Sequence, residues 1–360
     1  MEGIERIVED KKRIEWIDIL RAFAILAVIL CHATEGIYKL NIESVTSMSI
    51  MSKFTAFTGF TLGRTGVPVF LMISGYLLLD REYDKTRTIR FWKNNWLKLL
   101  LCTEIWFFVY ELFLNCFFYQ KLELGTIIED LLFVHKVNMG HVWYMPMILG
   151  MYVLIPFVAS ALKSFDVSVL KFPIVFFCAI AFGYPFVNVV NNAFQGEPLS
   201  LQLSTGFSGG AYGLYMVLGY MVKKGAFKNI KTSLVVVTGI VSFACAVGFQ
   251  IWAYSRGCVY NVWYDCPFIM IAALMFFECG SRIKRVRLYG AVKLVSYYSF
   301  PLYLIHFMIR LLLLRYMADI EMMRCIKVLV VWTVSFVASL MIAVIINKIP
   351  RVGKLVLNTK

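Results

Sequence analysis

Charge is scarce in this sequence. Asp, Glu, Lys and Arg together make up 16% of 360 residues, and only 22 residues are acidic. A soluble domain carries about 25% charged residues. Hydrophobic residues reach 60% and the mean hydropathy is +0.73, so composition alone excludes an ordinary soluble protein. There are only four histidines. The nine cysteines are scattered without a CxxC spacing or paired histidines, which excludes a zinc site of the usual ligand pattern. Gly-rich phosphate loops and the Ser elbow of hydrolases are absent, and no separate soluble domain is visible. The first thirteen residues are charged and the following apolar run is long, so a cleavable signal peptide is not expected. Cys258 and Cys266 flank a loop, where they serve either as a disulfide or as small apolar residues of membrane helices.

What the sequence has is long apolar runs. They lie at 15–35, 64–80, 95–118, 142–161, 170–190, 208–222, 232–254, 264–280, 294–315 and 325–347. Each approaches the roughly 20 residues a helix needs to cross a bilayer. The expected fold is all-α, a polytopic integral membrane protein of about ten transmembrane helices, with 1–360 forming one domain. The net charge of +14 would suggest nucleic acid for a soluble protein. Here the cations concentrate in alternate segments: Arg81, Lys85, Arg87, Arg90, Lys93 and Lys98 in one, Lys223, Lys224, Lys228 and Lys231 in another, Arg282, Lys284, Arg285, Arg287 and Lys293 in a third. That bias places both termini, 1–13 and 348–360, in the cytoplasm, and no nucleic-acid partner is expected. The loops expected outside are 36–63, 119–141 and 191–207.

The first run, Trp16 to Glu35, holds Asp18, Arg21 and His32. An Arg at membrane depth costs about 2.5 kcal/mol or more and survives where it faces a partner, a cavity or a ligand. Arg21 and His32 are eleven residues apart. Eleven steps of about 100° come to three turns plus roughly 20°, so the two side chains share a face, about 16 Å apart along the axis. They read as two stations on one polar path. A lone interfacial His is more often a packing residue; the Arg in register with it favours function. Asp18 and Arg21 are at i, i+3, as are His32 and Glu35, so each acid either supports its neighbour or faces water at a helix end.

Several other stretches interrupt the apolar monotony. Ser74, Gly75 and Tyr76 sit inside a membrane segment, where small residues allow close helix contact and a Tyr hydroxyl needs a partner. Arg87, Arg90 and Lys93 share a face if their stretch is helical; they are either positive-inside determinants or a cradle for an anionic ligand such as a nucleotide phosphate. Trp143 and Tyr144 suit an interfacial aromatic belt, beside an ambiguous His141. His306 and Arg310 are neighbours at i, i+4. His135 carries no assigned role.

The order of these blocks resembles a known family. Arg21 with ten residues before His32, then VPVFLMISGYLLL, a basic loop with paired Arg, VWYMPMILGMYVLIP, LGYMV and YSFPLYLIH is similar to the membrane-bound acyltransferase-3 family over about 13–347. The resemblance implies a ten-helix enzyme, usually bacterial and in the cell membrane. It implies transfer of an acyl group, most often acetyl, from cytoplasmic acyl-CoA to a hydroxyl of an envelope carbohydrate. It implies function for Arg21 and His32, and donor contacts for Ser74, Gly75, Tyr76, Arg87 and Arg90, although the basic loop departs in wording from the commoner pattern. No permanent cofactor and no metal are implied, and without a fused extracytoplasmic domain the transfer is expected to finish in the membrane domain or on a partner. On this reading His32 is the general base on the acceptor hydroxyl, with a transient acyl-His as a variant. A transporter would use the same inventory of intramembrane Arg and His but should show an internal repeat, which is not evident. A binding module without chemistry is the other rival.

Overall fold

The computed structural model describes residues 13–118, 124–134, 138–201, 210–284, 288–349 and 352–359. His135 and several of the terminal and loop cations, Lys11, Lys12, Arg285 and Arg287 among them, lie outside these. Among the described residues the structure is all helical, without strands.

The chain runs through α1 (Glu15–Tyr38), α2 (Ile42–Thr46), α3 (Ile50–Arg64), α4 (Gly66–Leu78), α5 (Lys85–Phe91), α6 (Leu97–Phe118), α7 (Leu124–Leu131), α8 (Tyr144–Lys163), α9 (Val167–Cys178), α10 (Tyr184–Ala193), α11 (Gly210–Lys223), α12 (Thr232–Ser255), α13 (Pro267–Ser281), α14 (Tyr289–Tyr297), α15 (Ser299–Tyr316), α16 (Arg324–Asn347) and α17 (Val352–Leu357). Single π-turns, Trp92–Trp96 and Ala179–Gly183, join α5 to α6 and α9 to α10. Among the described residues seven helical stretches are long and apolar enough to cross a membrane: Glu15–Tyr38, Ile50–Leu78, Tyr144–Lys163, Val167–Ala193, Thr232–Ser255, Ser299–Tyr316 and Arg324–Asn347; Pro267–Ser281 is a shorter apolar helix. This is a multi-pass membrane protein. The remaining expected segments, 95–118 and 208–222, fall on α6 and α11, with 208 and 209 outside the described residues. The 294–315 segment is divided at Tyr298 between α14 and α15.

Helix α1 is the axis of the bundle. It packs against α3, α4, α13, α14, α15 and α16. Of its apolar window 72% is buried in protein, against 11% for Val167–Ala193 and 22% for Arg324–Asn347. Those two must present their apolar surface to lipid, whereas α1 can hold polar side chains because protein surrounds it. It ends where Lys39 turns left-handed, at φ 47°, its N–H bonded to the Glu35 carbonyl.

The expected outer loop 36–63 is mostly helical. Helix α3 carries Ala56, Phe57 and Phe60 on a buried face against α1, and with α4 it forms one 29-residue span. Small residues set how closely these helices approach: a Cβ on Gly63 would lie 2.5 Å from the Cys31 Cα, and one on Gly66 2.6 Å from the Ala24 carbonyl oxygen. The same device joins α4 to α11, where a Cβ on Gly75 would meet the Met216 carbonyl oxygen and one on Gly219 that of Met72. The described residues 352–359 of the C-terminal segment pack back on the bundle. Its helix α17 folds back onto α6, and the Val356 carbonyl accepts from Trp106 Nε1 at 2.7 Å and from the Cys102 thiol. Cys258 and Cys266 are both buried free thiols.

Candidate active site

A cavity of about 600 Å³ opens beside α1. Arg21 lines it from α1 and Ser74 from α4, with Arg81 just beyond. The π-turn contributes Asn94 and Asn95, and Lys98 follows at the start of α6. A π-turn widens the helix by one residue. This one is pinned to α8 by two indoles, Trp92 Nε1 donating to the Val153 carbonyl and Trp96 Nε1 to that of Leu149, each at 3.1 Å. Tyr152, Ser299, Asn358 and Thr359 complete the polar wall. The cavity is lined by three cations, Arg21, Arg81 and Lys98, and among the described residues by no carboxylate, so its field favours an anion. Further along α1 the wall turns apolar at Val28, Val67, Phe70 and Ile73.

Val28, Val67, Tyr144 and Tyr303 also line a second, much smaller space of about 10 Å³, together with His32, His141, Trp143 and Tyr264. That volume holds about one water-sized group. The shared residues make the two spaces consecutive, one at Arg21 and the next at His32. Arg21 and His32 thus line neighbouring spaces beside α1, and the wall the two spaces share is apolar at Val28 and Val67, unlike the polar path expected from the sequence.

Three histidines meet at the narrow end. The His32 ring lies 5.4 Å from His306 in a stacked arrangement and 6.3 Å from His141, while His141 and His306 are 5.4 Å apart. Phe307 fills the remaining angle, stacked on His141 at 4.5 Å. Two tautomers follow from acceptors alone. His306 Nδ1 faces the Leu302 and Tyr303 carbonyls at 3.0 and 2.8 Å, so Nδ1 carries the hydrogen and Nε2 is a bare acceptor. The Tyr110 hydroxyl donates to the Leu304 carbonyl at 2.8 Å, so at its 3.3 Å contact with His141 it accepts from Nε2–H, leaving His141 Nδ1 bare. Both bare nitrogens are buried without a partner.

The position of His32 itself is fixed from outside its ring. Arg310 Nε donates to the His32 carbonyl at 2.7 Å, with the guanidinium over the Phe307 face at 4.7 Å. Glu35 Oε2 approaches His32 Nδ1 at 3.5 Å, a long contact that leaves the nitrogen without a closer partner. Trp143 and Tyr144 sit in an internal aromatic cluster instead of a lipid-facing belt: Trp143 packs against Tyr212, Trp263 and Tyr264, and Tyr144 against Tyr303. Among the described residues no group of three or more His, Cys, Asp or Glu is arranged to hold a metal ion.

Other expected site residues fall elsewhere. Asp18 is buried and held by Arg13 at 2.9 and 3.0 Å, Tyr289 at 2.8 Å and Ser296 at 2.6 Å; Arg21 stands 3.9 Å away, which leaves its guanidinium largely free for the cavity. Gly75 belongs to the α4–α11 crossing, and Tyr76 packs edge-on against Trp16 at 4.9 Å. Arg87 is exposed and paired with Glu82 at 2.9 Å and Asp84 at 3.6 Å; Arg90 is exposed, and neither lines the large cavity. The residues that sequence reasoning missed are Arg64, Arg81, Tyr110 and Tyr264, with Asn94, Asn95 and Lys98 read only as part of a basic loop. A signal existed for Arg64: Gly59, Gly63 and Gly66 around it form the spacing of a tight helix contact.

No curated protein and no solved structure matches the chain. The sequence profile of the acyltransferase domain of the acyltransferase-3 family matches residues 14–348, nearly all of the chain. The protein belongs to this family of membrane acyltransferases.

Proposed function

We propose that the protein moves an acyl group, acetyl in the simplest case, from cytoplasmic acyl-CoA to a hydroxyl of a cell-envelope carbohydrate, in a bacterial cell membrane with both termini inside. The observation that carries this reading is the cation-lined cavity at Arg21, without a carboxylate among the described residues, beside the water-sized space at His32. CoA is a polyanion with a thin pantetheine arm. Its phosphates pair with Arg81, Lys98 and Arg21, and the arm follows the apolar wall at Val28 and Val67, bringing the thioester to His32.

At that point the imidazole takes the proton of the acceptor hydroxyl, which is a poor nucleophile until deprotonated. Glu35 stabilises the imidazolium, Arg310 holds the backbone that carries His32, and the rings of His141 and His306 limit its rotation. Trp143 and Tyr144 offer the flat faces on which a sugar ring packs. The test is purified protein with [14C]acetyl-CoA and a total bacterial envelope glycan fraction. Label in the glycan supports the reading, and movement of a glycan precursor across proteoliposomes without label transfer would replace it with transport.

A further inference from the structure

Arg64 ends α3 at 4% exposure, a depth at which a guanidinium needs a reason. Its charge lies over the faces of Trp263 at 4.3 Å and Phe60 at 4.6 Å. Its Nη1 donates to the Tyr264 hydroxyl at 3.1 Å, and its Nε is buried without a partner. A phenol has one hydrogen. Because the Tyr264 oxygen accepts from Arg64, that hydrogen is free to donate elsewhere, and no acceptor for it is found among the described residues. Tyr264 is itself fixed: its carbonyl accepts from the Tyr215 hydroxyl at 2.9 Å and its ring packs on Trp143 at 5.3 Å. It lines the same 10 Å³ space as His32, so an imidazole and a spare phenolic hydrogen address one atom-sized position.

We propose that the Tyr264 hydroxyl, oriented and polarised by Arg64, is the donor that receives the negative charge on the carbonyl oxygen of the acyl donor during transfer. The assignment rests on the acyltransferase reading above. The acceptor oxygen attacks the thioester carbon while His32 takes its proton; the C=O pair moves onto oxygen and is held by the Tyr264 O–H. Collapse restores C=O and breaks the C–S bond, and the His32 proton passes to the departing sulfur, giving free CoA thiol and a neutral imidazole. Tyr264 is then a catalytic residue. Arg64 is a positioning residue whose cation strengthens the phenol as a donor.

The test is steady-state release of CoA thiol from acetyl-CoA with the envelope glycan fraction, for wild type, Tyr264→Phe, Arg64→Met, Arg64→Lys and His32→Ala. Tyr264→Phe keeps the ring that packs on Trp143, and thermal unfolding in detergent checks its fold. It is expected to lower kcat by about 10²–10³ with the KM for acetyl-CoA unchanged, the loss typical of one oxyanion donor. Arg64→Met is expected to lower kcat in the same way, with partial recovery in Arg64→Lys, a split that a packing role would not produce. Full turnover by folded Tyr264→Phe beside an inactive His32→Ala overturns the inference and leaves the acyltransferase intact. Turnover by His32→Ala, or none by wild type, overturns that reading and the inference with it.

Discussion

The ring of His306 stacks on that of His32 at 5.4 Å and 30°, while its Nδ1 is committed to two carbonyls of its own helix. A histidine so held has a fixed ring orientation, and in the proposed reaction its neighbour across the stack is the base. His306→Phe keeps the shape and removes the fixed nitrogen. A loss of kcat of about 10–100-fold is expected, the range for residues that orient a reacting group, with the KM for acetyl-CoA unchanged. Steady-state kinetics of the purified variant check this, and a change confined to KM would contradict it.

The cations near α4 and α6 fall into two sets. Arg81 and Lys98 line the large cavity, whereas Arg87 is occupied by Glu82 and Asp84 and Arg90 is exposed outside it. A charge-assisted hydrogen bond is worth about 1.5–3 kcal/mol, and each 1.4 kcal/mol is about tenfold in affinity. The double variant Arg81→Ala, Lys98→Ala should weaken acetyl-CoA binding at least tenfold in equilibrium titration, and Arg87→Ala, Arg90→Ala should leave it within about twofold. The reverse order would return the phosphate cradle to the basic loop.

The α4–α11 crossing is set by backbone. A Cβ on Gly75 would collide with the Met216 carbonyl oxygen, which cannot move aside as a side chain can. Gly75→Ala should destabilise the bundle by at least the 1–3 kcal/mol or so of ordinary overpacking. Gly150→Ala is the control, because nothing lies within 4 Å of its new Cβ. That variant should be neutral or stabilising by about 0.4–1 kcal/mol, as removal of glycine from a helix usually is. Thermal unfolding in detergent distinguishes the two, and equal behaviour would contradict the close crossing.

Below the same crossing Asp80 holds Lys224 at 2.5 Å and Lys223 at 3.4 Å. Burial raises its pKa, but the hydrogen bond from Lys224 and the charges of both ammonium groups outweigh that, and the net shift is downward. A depressed carboxylate contributes stability that is fully present above its unfolded pKa of about 3.9 and is lost as pH falls through the lower folded value. Unfolding midpoints for wild type and Asp80→Asn should differ by a constant amount from neutral pH down to about 5 and converge below about 4. A difference that vanishes at neutral pH would show the pair to be inert.

Much of this was readable from the chain. The eleven-residue offset of Arg21 and His32 put both on one face because helix geometry is regular over that length, and they line two neighbouring spaces beside α1. His306 and Arg310 were visible as helix neighbours for the same reason. The meeting of His32, His141 and His306 was not readable, since it is made by two helices and the turn before α8, far apart in sequence, and depends on how the bundle closes. Helix α3 was taken for a loop because its polar residues dilute the apolar signal; its identity lies in Gly59, Gly63 and the face of Ala56, Phe57 and Phe60, which act only once α3 packs against α1 and α12. Arg64, the first residue of the expected 64–80 run, drew no role from the sequence for that reason. The fold-back of α17 depends on the Val356 carbonyl finding Trp106, a long-range contact without a local pattern.

The central claim is that His32 is the base for transfer from a donor guided by Arg21. The most direct test is transfer of label from [14C]acetyl-CoA to the envelope glycan fraction by wild type, His32→Ala and Arg21→Ala at matched amounts of folded protein. The account predicts label in the glycan for wild type and none above background for His32→Ala. For Arg21→Ala it predicts slow transfer that acetyl-CoA concentration partly restores. Label transferred by His32→Ala at the wild-type rate would contradict it.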